Sequence, residues 1–264
     1  MRNSLKLHKR IVIKIGTSTL THPNGKLNLR RIERLCFVIS DLCNQGKEML
    51  LVTSGAIAAG ADSLRLEHRP RDIPGKQAAS AVGQAILMQI YQRFFSLYNR
   101  QAAQILLTSD VLDNPIRKQN ASNTINTLLS MGVVPIINAN DTITTEEINE
   151  ISDNDTLSAR VTVLTESNLL IMLSDTEGLY NVNPRSAPQA ALYYEVNTIT
   201  PDMLENAGEA GTTLGTGGMA TKLNAVQILM GHNIDSLLAQ GEDPGIIWRI
   251  LEGERLGTYF SKGD

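Results

Sequence analysis

The chain has 264 residues, of which 42% are hydrophobic, 19% charged and 4% aromatic. That composition excludes a disordered, collagen-like or disulfide-dense chain, and the length suits one large α/β domain or two small ones. A formal net charge of −3 with no long basic run leaves no field to draw in nucleic acid. No apolar run approaches the roughly 18 residues that a membrane span requires.

The opening, MRNSLKLHKRIVIKIG, is basic and then apolar. Its apolar part is too short for a secretory signal, contains Lys14 and runs into GTST rather than a cleavage site. It reads as a solvated tail followed by a strand over Arg10–Ile15, and the cytoplasm is the expected compartment. Ile32, Leu35, Cys36, Ile39, Leu42 and Cys43 keep helical spacing, with Gly46 as the stop. The only two cysteines therefore share a helix face two turns apart, too far to bridge. Met49–Thr53 predicts a strand ending in Ser54-Gly55-Ala56. Gln77–Tyr98 contains a long helical segment, Gln104–Leu107 a short strand, and Asn120–Met131 a helix closed by Gly132. Val133–Asn138 and Leu169–Leu173 predict strands. Thr221–Met230 predicts a helix stopped by Gly231, then a strand over Ile234–Ala239. A closing helix and strand fall within Trp248–Phe260. Unbroken apolar strands joined by helices indicate a parallel sheet covered on both faces. With no repeat or linker, the expected organisation is one domain over 1–264 with two lobes around a cleft.

Ligands of such sheets bind outside the carboxyl ends of the strands. Four predicted strands end in polar or glycine-rich turns: Lys14-Ile15-Gly16-Thr17-Ser18, Thr53-Ser54-Gly55-Ala56, Ala139-Asn140-Asp141 and Ser174-Asp175. Period-two alternation puts Ile11, Ile13 and Ile15 on one face and Val12 with Lys14 on the other. A lysine inside a covered strand is costly without an anionic partner. Lys14 is therefore read as a cation aimed at a phosphate, against the plainer reading of a snorkelling lysine on an edge strand. The segment Leu214-Gly215-Thr216-Gly217-Gly218-Met219-Ala220-Thr221-Lys222 can bring backbone N–H groups and a helix N-terminus to an anion. It is not a Walker A loop, because Lys222 follows the glycines by four residues. The plainer reading is a flexible turn with a surface lysine. Asp153-Asn154-Asp155 forms an acidic cluster, in which Asp155 could simply cap the next helix. Histidines show no metal-ligand spacing.

Two lysines, anion cradles and several carboxylates suit phosphoryl transfer with magnesium, where catalysis is mostly positioning and charge stabilisation. A carboxylate acceptor is already ionised at neutral pH, so the lack of an obvious base fits a kinase that forms an acyl phosphate.

These residues also carry a resemblance over roughly residues 9–260. VIKIGTSTL (12–20), LVTSGAIAAG (51–60), KQAASAVGQ (76–84), PIINANDT (135–142), SDNDTLSA (152–159), SDTEGLYNVNPR (174–185) and LGTGGMATK (214–222) resemble the glutamate 5-kinases of the amino acid kinase family. The resemblance implies a three-layer αβα sandwich with a mainly parallel sheet, and ATP-dependent phosphorylation of the L-glutamate side chain, the first step of proline biosynthesis. It implies that Lys14 and Lys222 stabilise the transferring phosphoryl, with Asp155 holding both. Ser54, Gly55, Ala56, Asp141, Asp153 and Asn154 would bind glutamate, with Asp141 near its ammonium. Lys14, Gly16, Ser174, Asp175, Thr216, Gly217, Gly218, Met219, Ala220, Thr221 and Lys222 would line the ATP site. Mg2+ would be held mainly by the ATP phosphates. An N-terminal glutamate-binding lobe, a C-terminal nucleotide-binding lobe, proline as feedback inhibitor, a downstream glutamyl phosphate reductase and a homo-oligomer follow in the same way.

Three features depart from the family pattern. No C-terminal PUA domain is expected after Phe260. Ala139 stands where the family often has Glu, and Ser152 where it often has Gly. The competing readings are a sister kinase for N-acetylglutamate or carbamate, and a nucleotide- or amino-acid-binding regulator without turnover.

Overall fold

The computed structural model describes residues 2–143, 153–184, 187, 189–208 and 218–261. Eight strands form one sheet: β1 (Arg10–Ile15), β2 (Glu48–Thr53), β3 (Ala102–Leu107), β4 (Val134–Ala139), β5 (Leu169–Ser174), β6 (Glu195–Val196), β7 (Asp235–Gln240) and β8 (Thr258–Phe260). Their order is β3-β4-β2-β1-β5-β7-β8-β6. The run from β3 to β7 is parallel, and β8 lies antiparallel to β7. The predicted strands are therefore present with ends shifted by two residues or fewer, and β6 is an addition too short to show a period.

The helices are α1 (Thr17–Leu20), α2 (Leu29–Asn44), α3 (Ala56–Ser63), α4 (Ile73–Ser96), α5 (Ser109–Asp113), α6 (Pro115–Ser130), α7 (Asn154–Leu164), α8 (Pro201–Gly208), α9 (Met219–Gly231) and α10 (Ile246–Leu251). Local chemistry sets several starts. Asn28 and Asp72 accept from backbone N–H groups in the first turns of α2 and α4, and Asn114 caps α6 ahead of Pro115. Gly46, at φ +86°, ends α2 as its spacing predicts. Gly231 is instead the last residue of α9, and Asn233 supplies the left-handed turn at φ +57°.

Two apolar layers sandwich the sheet. Ile11, Ile13 and Ile15 face α2, α4 and α10 through Leu35, Leu87 and Ile250. Val12 faces the other side, where Ile125 of α6, Val161 of α7 and Val226 of α9 pack. The period-two reading of β1 thus separates the two cores correctly, and the architecture is the expected αβα sandwich.

The predicted solvated tail is solvated only in part: Lys6 and Leu7 are exposed, but Arg2 and Leu5 are buried. Residues Arg2–Leu7 form a short 3-10 helix. Leu5 is wholly buried in the first core, and the Arg2 guanidinium donates to the carbonyls of Tyr194, Glu254, Leu256 and Gly257. Isolated polar flanks hide one buried Leu and one buried Arg from a composition-based reading. Cys36 and Cys43 are free thiols on α2, as their spacing requires.

Candidate active site

The four strands with informative ends, β4, β2, β1 and β5, are neighbours in the centre of the sheet and run in the same direction. Their carboxyl ends open into one cleft. Lys14 lies between β2 and β5 and is only 5% exposed, so the edge-strand reading fails. A buried ammonium needs a close anion. It finds Asp155, which is fully buried in the first turn of α7 and whose Oδ1 pairs with the Lys14 Nζ. Asp155 Oδ2 accepts from Lys222 Nζ at 3.0 Å and from Thr221 Oγ1 at 2.9 Å. Lys222, from the first turn of α9, is itself buried, so it is not a surface lysine on a flexible turn.

Burial pushes the Asp155 carboxyl up, but the two ammonium groups outweigh it and hold the acid at about 2. Asp155 is ionised, and the trio of two cations and one anion carries net positive charge into the cleft. Asp155 does not cap α7. Asp153 does, accepting from the Asp155 N–H at 3.1 Å. That leaves the Asp155 side chain for the lysines. The helices α3 and α9 begin at Gly55 and Gly218, neither of which supplies a side-chain cap. Their first N–H groups remain available to an anion. Gly55 takes φ +100°, a left-handed turn that explains a glycine there.

A second group of side chains lines the same cleft. Asn154 Nδ2 donates to Ser54 Oγ at 2.9 Å and to Asn138 Oδ1 at 3.1 Å. Asn138, buried at the end of β4, also donates to Gln84 Oε1 of α4 at 2.9 Å. Ser80 of α4 donates to Asp141 Oδ2 at 3.0 Å. Burial raises the Asp141 carboxyl against the opposing pull of Ser80 and Arg69. Burial, then the nearby Asp155, raise Asp153. Asp153 Oδ2 and Asn154 Oδ1 are buried and have no hydrogen-bond partner among the described residues. Both side chains face the cleft, where a polar ligand would satisfy them.

The structure therefore brings Lys14, Gly16, Ser54, Gly55, Ala56, Asp141, Asp153, Asn154, Ser174, Asp175 and Lys222 to one cavity. Asp155, Gly218 and Thr221 stand behind Lys222. Met219 and Ala220 instead pack against the second core. Thr216, Gly217 and Ser152 lie outside the described residues. Ala139 is a buried core residue. Sequence reasoning missed Asn138 and Arg69 as cleft residues. Asn138 could have been found as the only polar side chain in VVPIIN. Arg69 sits in an irregular segment with no periodic signal.

Residues 9–239 match the family model described as the amino acid kinase family. The chain belongs to the amino acid kinase family. A glutamate 5-kinase of Clostridium perfringens (strain 13 / Type A) is 52% identical over 263 residues, covering 98% of each chain. A glutamate 5-kinase of Listeria monocytogenes serotype 4b (strain CLIP80459) is 49% identical, covering 99% of this chain and 96% of that protein. Among solved structures, UMP kinase from Bacillus anthracis superposes with a TM-score of 0.65 at 16% identity, over 97% of each chain. That likeness shows the fold alone.

Proposed function

We propose that this cleft transfers the terminal phosphoryl group of ATP to the side-chain carboxylate of L-glutamate. The products are ADP and L-glutamyl 5-phosphate, and the reaction opens proline biosynthesis. The observation that carries the reading is Asp155 held between Lys14 and Lys222 at the mouth of two uncapped helices. One oxygen of the substrate carboxylate forms the new bond to phosphorus as the bond to the bridging oxygen of ADP breaks. No proton has to be removed from the acceptor, which is ionised at neutral pH. Lys14 and Lys222 act on the charge spread over the transferring group, and Asp155 fixes both ammonium groups in place before reaction. Ser54, Gly55, Ala56, Asp153 and Asn154 hold the glutamate, and Asp141 takes its ammonium. Gly16, Ser174, Asp175 and the segment Thr216–Lys222 serve the nucleotide.

Asp155 is engaged by both lysines and is a poor magnesium ligand in this arrangement. Magnesium is accordingly assigned mainly to the phosphate oxygens of ATP, where it neutralises their charge. The same reading gives an N-terminal lobe for glutamate and a C-terminal lobe for nucleotide within 1–264. Proline would compete in the region of the glutamate site, and a reductase would consume the labile acyl phosphate. No helix among the described residues is long and apolar enough to cross a membrane. A cytoplasmic homo-oligomer completes the proposal, supported by the family resemblance.

The test is an assay with MgATP, L-glutamate and hydroxylamine. Trapping of the acyl phosphate as a hydroxamate is expected, with ADP release dependent on glutamate. Folded protein that releases no ADP in response to glutamate would overturn the reading. N-acetylglutamate should be a poor substitute, because acylation removes the charge that Asp141 recognises.

A further inference from the structure

Among the described residues, the cleft contains one cation that the phosphoryl-transfer reading does not use. Arg69 lines the same cavity as Ser54, Asp141 and Asn154. Its position is set by its neighbours in the chain. Pro70 restricts the preceding residue to extended conformations. Two residues further on, Asp72 caps α4 by accepting from the Gly75 N–H at 3.0 Å. Arg69 therefore projects from a short, braced segment at the head of the helix whose Ser80 holds Asp141. Burial lowers the Arg69 guanidinium and raises the Asp141 carboxyl, and the charge of each opposes that shift in the other. One anion and one cation thus line the cleft that also receives Lys14.

An α-amino acid presents an ammonium and a carboxylate on one carbon. We propose that Arg69 is the residue that binds the α-carboxylate of the substrate, beside the ammonium site at Asp141, and so selects free α-amino acids over their α-amides. The inference rests on the glutamate reading above. A guanidinium matches a carboxylate through two parallel N–H donors, whereas a carboxamide offers no charge and a single acceptor oxygen. The side-chain carboxylate is then left to point at Lys14 and Lys222. Discrimination arises at the end of the substrate remote from the reacting oxygen, so it belongs to binding rather than to the chemical step.

The experiment compares L-glutamate with its α-amide, L-isoglutamine, which keeps both the ammonium and the side-chain carboxylate. Steady-state constants are measured for the unsubstituted enzyme, Arg69→Gln and Arg69→Lys. The unsubstituted enzyme should favour glutamate by roughly tenfold to a hundredfold in kcat/KM, the range of one charge-assisted contact. Arg69→Gln should lose most of that preference through a higher KM for glutamate, with kcat and the constants for the amide nearly unchanged. Arg69→Lys should recover part of it. If Arg69 merely neutralises Asp141 or braces the segment, both substrates will weaken equally in Arg69→Gln, and the constant ratio overturns the inference. An unsubstituted enzyme that phosphorylates neither compound overturns the glutamate reading itself, and this inference with it. That outcome differs visibly from an active enzyme with an unmoved ratio.

Discussion

At the scale of single residues, the buried trio sets the strongest expectations. Lys222→Gln keeps most of the side-chain volume and a donor for Asp155 while removing one preorganised charge. Loss of one such group typically costs about 2.7–4 kcal/mol of barrier, so kcat should fall by roughly 10²–10³ with little change in glutamate KM. Steady-state kinetics check this, and an unchanged kcat would remove Lys222 from the mechanism. Alanine is the poorer test. From spacing, a first-turn lysine should matter little to stability, but Lys222 is buried on Asp155, and truncation would leave that carboxylate with one ion-pair partner. The two raised carboxyls make a different prediction. Asp141 has a higher pKa in the folded chain than its ordinary value of 3.8, so its ionised form disfavours folding at neutral pH. Below the unfolded value both states hold the proton and the penalty vanishes. Asp141→Asn, which can still accept from Ser80, should therefore raise the urea midpoint at pH 7 and lose that advantage as the pH falls below about 4. The same variant should raise glutamate KM. Asp155 has the opposite sign. Its depressed pKa contributes stability above 3.8 that is lost as the pH falls toward about 2.

At the scale of elements, the placement of Ala56 depends on how closely α3 and α4 approach. A Cβ on Gly83 would stand 1.8 Å from the Ala56 carbonyl oxygen and 2.4 Å from the Gly60 nitrogen. Both contacts are backbone and cannot yield without moving a helix. Gly83→Ala should cost about 1–3 kcal/mol or more and should also raise glutamate KM, because Ala56 lines the cleft. Gly231→Ala is the matched control. It sits in the last turn of α9 with nothing within 4 Å of the new methyl, and should gain about 0.4–1 kcal/mol. Denaturant unfolding and glutamate titrations separate the two effects. This contact also shows where the sequence stops being legible. The strands were readable because unbroken apolar runs have few alternative fates. Lys14 was readable because a charge interrupted one. α3 was not resolved as a separate helix, since AIAAGADS has little amphipathic contrast and its partner lies in a different segment. The choice between Asp153 and Asp155 as the cap was equally hidden. Either acid could cap by type, and only the buried lysines on the far side decide it.

At the scale of the whole molecule, the opening residues tie distant parts of the chain together. The Arg2 guanidinium reaches the carbonyls of Leu256 at 2.6 Å, Tyr194 at 2.6 Å, Gly257 at 3.0 Å and Glu254 at 3.1 Å. Those acceptors belong to the segments that lead into β6 and β8, the strands that extend the sheet beyond β7. The ring of Tyr259 lies 5.9 Å from the guanidinium carbon, and Glu195 stands 3.8 Å from its Nε. None of these residues lines the cleft. Arg2→Ala strips one charged donor from four carbonyls, and a charge-assisted hydrogen bond is worth about 1.5–3 kcal/mol. Shared acceptors and solvent entry keep the total below the sum of the parts, so a loss of about 2–4 kcal/mol is expected. The kcat of the enzyme that remains folded should not move, because Lys14, Asp155 and Lys222 are anchored to β1, α7 and α9 and not to the β6–β8 edge. Thermal unfolding and kcat measured on the same sample decide it. A large fall in kcat at full folding would mean that the edge strands hold the cleft in shape, and that the sheet transmits strain from its rim to its centre.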